Sequence, residues 1–169
     1  EDALYKTGGG DYLQLFRIFG VEKSPFPVTG LSSLQSYLPH FNNGQTIFLI
    51  HNTYMPPADI AFANMYAASN GLKLVYCFCP NANLYIENRL PNIDKFMQMG
   101  CHIVLGTDSY SSNWQLKVTE EILTIHKNFP GIPFETILQW ATLNGTDALD
   151  LESRWISGSD LIQRMENGK

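Results

Sequence analysis

The chain has 169 residues, enough for about one domain, and 44% of them are hydrophobic while only 16% are charged. Its formal net charge of -5 argues against nucleic acid or an anionic membrane as a partner held by electrostatics. No window approaches the roughly 18 continuous apolar residues of a membrane helix, so we expect a soluble, cytoplasmic protein that binds a neutral or cationic small molecule.

The three cysteines, Cys77, Cys79 and Cys101, form no even disulfide framework, which favours a reducing compartment. Cys77 and Cys79 alternate within one predicted strand and therefore share a face of it. Structural zinc sites have about four ligands and space their cysteines by two to four residues. The pattern therefore favours buried strand thiols over a metal site.

Residues 1–45 predict a helical lead-in without a strand. An Asp-capped helix is predicted over residues 12–19 and a second helix over residues 31–38. The turn signal Asn42-Asn43-Gly44 then separates this lead-in from the first strand.

Buried strands and helices alternate over residues 46–150. Strands are predicted over residues 46–51, 73–79 and 102–108, and their starts recur every 27 to 29 residues. This spacing is the length of one βα unit with its right-handed crossover. The region therefore predicts three parallel βα units.

Two trailing helices follow the third strand. The first has an apolar stripe at Val118, Ile122, Ile125 and Phe129. The second starts at Pro133 with Ile137, Leu138 and Ala141 inward, and it is expected to stop at Asn144-Gly145. Residues 151–169 read as an irregular tail.

Polar side chains stand at the carboxyl ends of the three predicted strands. The first strand ends at His51, the second leads to Asn83, and the third ends at Asp108 after Gly106. A strand-end Asp alone can equally be a helix cap, and a lone strand-end His is often structural. Parallel strands, however, bring all three ends to one rim, and a His and an Asp that converge there favour proton transfer or metal chemistry.

Three motifs of the chain carry a resemblance to a known family. They are Leu49-Ile-His51-Asn-Thr-Tyr-Met55, Cys79-Pro-Asn-Ala-Asn-Leu84 and Val104-Leu-Gly-Thr-Asp108-Ser109. In this order and spacing they resemble the last three barrel strands of the amidohydrolase superfamily, in the branch of chlorohydrolases and of guanine-, cytosine- and adenosine-type deaminases. Ala141-Thr-Leu-Asn-Gly145 is similar to the family's helix after the last strand.

The resemblance implies a (β/α)₈ barrel with a divalent metal, zinc or iron, that activates water for attack on an aminated or halogenated heterocycle. By matching positions, Asp108 would bind the metal and accept the proton of the water. His51 would lie near the metal-bound water and the substrate, so that His51 and Asp108 are the implied catalytic residues. Asn83, in the family's loop after the seventh strand, would be a substrate-binding residue.

The chain also departs from the family pattern. The family's His-x-His pair on the first strand, its fifth-strand His and the Glu that follows are not present, and His40, His102 and His126 do not supply them. Asn81 stands where many relatives have Arg. We therefore expect an α/β fold that is a partial (β/α)₈ barrel, the last three parallel βα units plus trailing helices, cut just after the fifth strand of a longer enzyme.

Several expectations follow for the chain as given. It should be catalytically inactive and hold no tight metal, because catalytic sites of this kind need about three protein ligands. Its two outer strands should expose unpaired edges and promote self-association. The alternative is a self-contained parallel α/β module, flavodoxin-like in topology, in which His51, Asn83 and Asp108 line a ligand crevice without catalysis.

Overall fold

A three-stranded parallel sheet organises residues 1–151, the part of the chain that the computed structural model describes. The strands are β1 (Thr46–Ile50), β2 (Lys73–Phe78) and β3 (Ile103–Leu105). β2 lies between the other two, with Lys73 opposite Thr46 and Tyr76 opposite Ile103. Since all pairing is parallel, the three carboxyl ends meet at one edge of the sheet, called here the carboxyl rim; the opposite edge is the amino rim.

Helices precede the sheet, connect its strands and follow it. They are α1 (Asp2–Thr7), α2 (Tyr12–Ile18), α3 (Ser33–Tyr37), α4 (Pro57–Asn70), α5 (Pro80–Glu87), α6 (Ile93–Gln98), α7 (Val118–Asn128), α8 (Phe134–Ala141) and α9 (Leu143–Ala148), with a short 3-10 helix at Leu38–His40. None of the helices within residues 1–151 is long and apolar enough to cross a membrane. The predicted tail at 151–169 lies, apart from Leu151, outside the described residues.

The main core lies between one face of the sheet and the helices that cover it. Tyr76 and Phe78 of β2 pack edge to face against Phe96 of α6, with ring centroids 5.3 and 5.0 Å apart. Ile125 of α7 and Ile137 of α8 are fully buried in the same cluster. Burial of one such side chain contributes about 1.5–3 kcal/mol, so this layer holds the strands in place below the rim.

The opposite face of the sheet carries a second, smaller cluster. Val75 of β2 and Val104 of β3 are buried there together with Ala148 of α9, and Cys77 packs against them. Because side chains alternate along a strand, Val75 and Cys77 point away from the helix-covered face. This is the face that turns inward when a parallel sheet closes into a barrel.

The structure corrects three details of the sequence reading. Asn83, which the resemblance placed in a loop, lies in the first turn of α5, and this helix starts at Pro80 because Pro is favoured at the first helical position. Asn144-Gly145 does not end a helix: α8 ends at Ala141, and both residues lie in α9. Leu138, read as inward-facing, is 39% exposed.

Candidate functional site

His51 lies at the carboxyl rim immediately after β1. Its backbone N–H donates a hydrogen bond to the Cys77 carbonyl at 2.9 Å, which extends the pairing of β1 with β2 by one residue. The φ angles of His51 and Asn52 are 69° and 55°, in the left-handed region that L-residues other than glycine seldom adopt. The chain therefore turns sharply at this point and holds the imidazole over the strand end.

Asp108 occupies the corresponding position after β3 and also has a positive φ, of 58°. Its Oδ2 accepts a hydrogen bond from Ser112 Oγ at 2.6 Å, so Ser112, rather than the neighbouring Ser109, orients the carboxylate. Left-handed backbone at a non-glycine residue costs on the order of 1–3 kcal/mol and is concentrated at functional sites. His51 and Asp108 both carry this strain, at the ends of two different strands.

The two predicted catalytic side chains meet. His51 Nε2 lies 3.5 Å from Asp108 Oδ2. The side chains are 36% and 28% exposed, so the pair is open to a ligand from above the rim. Direct proton transfer needs a separation of about 2.6–3.2 Å, so at this distance a small approach of the two side chains or one bridging water would connect them.

Asn83 lies in the first turn of α5 and is only 2% exposed. Its Nδ2 donates a hydrogen bond to Thr53 Oγ1, which fixes the amide plane. Asn83 Oδ1 and His51 Nδ1 are both buried without a hydrogen-bond partner within residues 1–151. Buried polar atoms without partners are costly, so these two atoms are free to accept or donate a hydrogen bond to a further group at the rim.

Two thiols lie beneath the rim. A Cβ placed on Gly106, just after β3, would lie 3.1 Å from Cys77 Sγ and 3.4 Å from Cys79 Sγ, so a side chain there would crowd both thiols. A hydrogen bond from Cys79 lowers the pKa of Cys77, and the same contact together with burial raises the pKa of Cys79. Both cysteines are free, and Cys79 is buried, as the sequence predicts for strand thiols.

A network behind the rim was missed in the sequence. The Glu121 carboxylate of α7 is fully buried and accepts hydrogen bonds from the Asn113 side chain and from the Asn81 backbone. Burial raises the pKa of Glu121, and the two donors oppose that shift. The sequence did contain an indication of this network. Glu121 lies at helical spacing on the apolar stripe of Val118, Ile122 and Ile125, and a carboxylate buried there needs hydrogen-bond partners.

The other histidines lie elsewhere, as expected from the sequence. His102 is at the amino rim, with its Nδ1 3.8 Å from Asp147 Oδ2. His126 packs its ring on Phe134 at 5.4 Å, and His40 packs on Tyr37 at 6.5 Å. None of the three reaches His51 or Asp108.

A carboxylate and an imidazole are donor types that suit zinc or ferrous iron. The number of donors falls short, because no group of three or more His, Cys, Asp or Glu side chains within the described range is arranged to hold a metal ion. Catalytic sites of this type need about three protein ligands. Within the described residues, His51 and Asp108 alone therefore fall short of the donors that such a site needs.

The sequence profile of the amidohydrolase family matches residues 19–155, most of the chain. The chain belongs to the amidohydrolase family, and the resemblance seen in its motifs is confirmed. Members of this family generally bind a divalent metal ion.

Parts of the chain are similar to curated deaminases. The 5'-deoxyadenosine deaminase of Methanosarcina acetivorans is 33% identical over 81 residues, which cover 44% of this chain and 19% of that protein. The 5-methylthioadenosine/S-adenosylhomocysteine deaminase of Caldicellulosiruptor saccharolyticus is 29% identical over 110 residues, 61% of this chain and 24% of that protein. The chain thus spans about a fifth to a quarter of the length of these relatives.

Solved structures with a similar fold include the aminofutalosine deaminase of Helicobacter pylori. That structure matches with a TM-score of 0.70 at 18% identity, over 89% of this chain and 37% of the enzyme. Its complex with methylthio-coformycin matches with a TM-score of 0.69, over 88% of this chain and 36% of the enzyme. The predicted α/β fold, part of a (β/α)₈ barrel, is confirmed.

Proposed function

We propose that the chain provides the carboxyl-terminal part of the catalytic rim of a metal-dependent amidohydrolase, which deaminates or dechlorinates a nitrogen heterocycle by hydrolysis. The contact that carries the proposal is the 3.5 Å approach of His51 Nε2 to Asp108 Oδ2 at the ends of two parallel strands. The family match favours this function over a binding module without catalysis.

In this proposal Asp108 is a metal ligand and the proton acceptor. When bound, a divalent zinc or iron ion would lower the pKa of water to about 7 and polarise the substrate. Asp108 Oδ2 receives the proton of the attacking water, and His51 Nε2, next to it, passes protons between Asp108 and the substrate. The Ser112 hydroxyl keeps the carboxylate turned toward His51 through its 2.6 Å hydrogen bond.

Asn83 is proposed to bind the substrate. Its buried amide is held from one side by Thr53, and its Oδ1 has no partner within the described residues, so it remains able to accept a hydrogen bond from a ligand. A nitrogen heterocycle offers such N–H donors. The names of the relatives, which are deaminases of adenosine derivatives, support a small heterocyclic substrate of the adenosine type.

The remaining metal ligands are proposed to come from outside residues 1–151. His51 and Asp108 provide two metal ligands where about three are needed. Two ligands alone would not offset the free-energy cost of desolvating the ion. We therefore expect this chain alone to be catalytically silent and to bind zinc or iron only loosely.

The test compares two preparations: this chain, and the same sequence extended to the full length of its relatives. Each is dialysed, analysed for zinc and iron, and assayed for ammonia release from 5'-deoxyadenosine and 5'-methylthioadenosine. We expect stoichiometric metal and turnover only in the extended protein. Stoichiometric metal or turnover in the chain alone would show that the missing ligands lie within it, and an extended protein without metal and hydrolytic activity would refute the proposed function.

We also propose that the sheet edges drive self-association. Within the described residues β1 and β3 each pair only with β2, which leaves one side of each strand unpaired.

Ile50 of β1 is 56% exposed, so a charge there should disfavour edge pairing. Sedimentation at micromolar concentration should show dimers or larger species that Ile50→Lys reduces. The matched change Met65→Lys, on the 67% exposed Met65 of α4, should leave association unchanged; a monomeric wild type would contradict the proposal.

A further inference from the structure

We propose that Glu121 is a positioning residue: its buried carboxylate holds the loop that carries Asp108 at a fixed place relative to the helix that carries Asn83. Glu121 itself forms no hydrogen bond with Asp108 or with Asn83. The consequence for catalysis rests on the proposed function, whereas the positioning itself can be tested without any activity.

Each oxygen of Glu121 serves a different element of the rim. Oε1 accepts a hydrogen bond from Asn113 Nδ2 at 2.9 Å, in the loop after β3. Oε2 accepts one from the backbone N–H of Asn81 at 2.8 Å, in the first turn of α5. Glu121 is 0% exposed, so water does not compete for either oxygen.

Asn113 carries the constraint from Glu121 to Asp108. The same Nδ2 that reaches Glu121 also donates to the Thr107 carbonyl at 2.6 Å, and Thr107 immediately precedes Asp108. Both partners are acceptors, so the two hydrogens of this NH₂ group are used and the orientation of the amide is determined. Asn113 is itself buried, at 3% exposure.

The other side of the network fixes α5. Besides the bond from its backbone to Glu121, Asn81 accepts a hydrogen bond at its Oδ1 from Thr124 Oγ1 at 2.6 Å. Glu121 and Thr124 are three residues apart, hence on one face of α7. The helix therefore holds the first turn of α5 at two points, and Asn83 lies in that same turn.

A carboxylate is the group that these contacts require. Two donors approach from two elements, and an amide side chain has only one oxygen to accept them, whereas a carboxylate has two. No Lys or Arg within the described residues forms an ion pair with Glu121, so attraction between opposite charges does not explain its burial. The buried Glu121 carboxylate is held only by hydrogen-bond donors from the loop after β3 and from α5. We attribute its burial to its role in joining these two parts of the rim.

The direct test is amide hydrogen exchange on this chain, comparing Glu121→Gln with Glu120→Gln. Glu120 is the exposed neighbour on the same helix, so the control makes the same change of charge. In Glu121→Gln we expect the Asn81 amide and the amides of residues 107–113 to exchange at least about tenfold faster, with β2 protected as in wild type. Glu120→Gln should match wild type throughout.

Asn113→Ala tests the link from Glu121 to the loop separately from the link to α5. It also provides the test if Glu121→Gln does not fold. It removes the link to the loop but leaves the bond between Glu121 and Asn81, so exchange should rise in residues 107–113 and stay unchanged at Asn81. A folded Glu121→Gln protein with wild-type exchange at both places would overturn the proposal. So would an Asn113→Ala protein in which Asn81 loosens as much as the loop.

The catalytic consequence is read in the protein extended to the full length of its relatives. A displaced Asp108 should lower kcat, whereas a displaced Asn83 should raise KM. We therefore expect Asn113→Ala to lower kcat about tenfold with little change in KM, and Glu121→Gln to change both. Altered exchange with unchanged kcat and KM would refute a catalytic role for the network, while an inactive wild type would refute the proposed function and leave the exchange result standing.

Discussion

The two rims of the sheet are built from the same strands but satisfy their polar groups in opposite ways. At the amino rim Lys73 Nζ donates to Asp147 Oδ2 at 2.9 Å and to the Asp147 carbonyl at 2.8 Å. Asn144 Nδ2 donates to the Ile103 carbonyl at 2.8 Å. At the carboxyl rim, His51 Nδ1 and Asn83 Oδ1 are buried without a partner in the described part of the chain.

At the ends of the strands themselves, left-handed non-glycine backbone is found only at the carboxyl rim within the described residues. His51 and Asp108, at the carboxyl rim, have φ angles of 69° and 58°, whereas the strand starts at the amino rim have ordinary backbone. Strain and unpaired polar atoms both lower stability, so they persist where another requirement determines the conformation. We infer that the amino rim stabilises the fold, and the contrast supports the proposal that the carboxyl rim presents groups to a ligand.

Asp108→Asn should give the largest contrast between the rims. In the extended protein we expect hydrolysis to fall by about 10³-fold or more, because the change removes the proposed metal ligand and proton acceptor together. Stability should change little, since Asn tolerates the left-handed backbone at this position. Steady-state kinetics and thermal unfolding measure the two effects.

The matched control is Asp147→Asn, the same chemical change at the amino rim. It should leave kcat and KM at wild-type values. Wild-type turnover by Asp108→Asn would remove Asp108 from the mechanism, and equal losses in the two variants would show that the rims do not differ in function.

Asn83→Ala should have a smaller and different effect. We expect KM to rise about tenfold with kcat within a few-fold of wild type, because the amide is proposed to bind the substrate without taking part in proton transfer. Asn144→Ala, which removes a side-chain amide from the amino rim, is the control and should not change KM. A fall in kcat alone in Asn83→Ala would instead place Asn83 among the groups that act in the transition state.

The sequence was sufficient to predict that His51 and Asp108 meet at one rim, but it did not reveal the contacts that support them. Buried apolar runs at a βα spacing determine parallel strands, and parallel strands bring His51 and Asp108 to one rim regardless of side-chain detail. Their distance of 3.5 Å depends on two left-handed residues, which no periodicity reveals. The same holds for Ser112, whose contact with Asp108 depends on how the loop folds back.

The start of α5 shows where local signals mislead. Proline and asparagine are common in turns, so Pro80-Asn81-Ala82-Asn83 reads as a loop, yet proline is equally favoured at the first position of a helix. What decides is a tertiary contact, the bond from the Asn81 N–H to Glu121, forty residues later in the chain. The position of Glu121 on an apolar stripe was visible in the sequence, but its partners were not.

The smallest expected effect concerns the amino rim alone. Asp147→Asn removes the charge that Lys73 contacts, and because Asp147 is exposed to solvent we expect only a slight fall in the midpoint of thermal unfolding. The hydrogen bond from Lys73 lowers the pKa of Asp147 below its ordinary value of 3.8. Its stabilising contribution is therefore fully present above that value and is lost as the pH falls through the lowered pKa.

The measurement is the midpoint of thermal unfolding of wild type and Asp147→Asn from pH 7 down to pH 2. The difference between the two proteins should be constant at pH well above 3.8, decline below that value, vanish once the pH lies below the lowered pKa, and shrink in 1 M salt, which screens exposed charges. Glu22→Gln, the same loss of charge in an exposed loop, should show no such difference. A gap that persists at pH 2 would mean that the Asp147 side chain contributes through contacts other than its charge, since the backbone carbonyl is the same in both proteins.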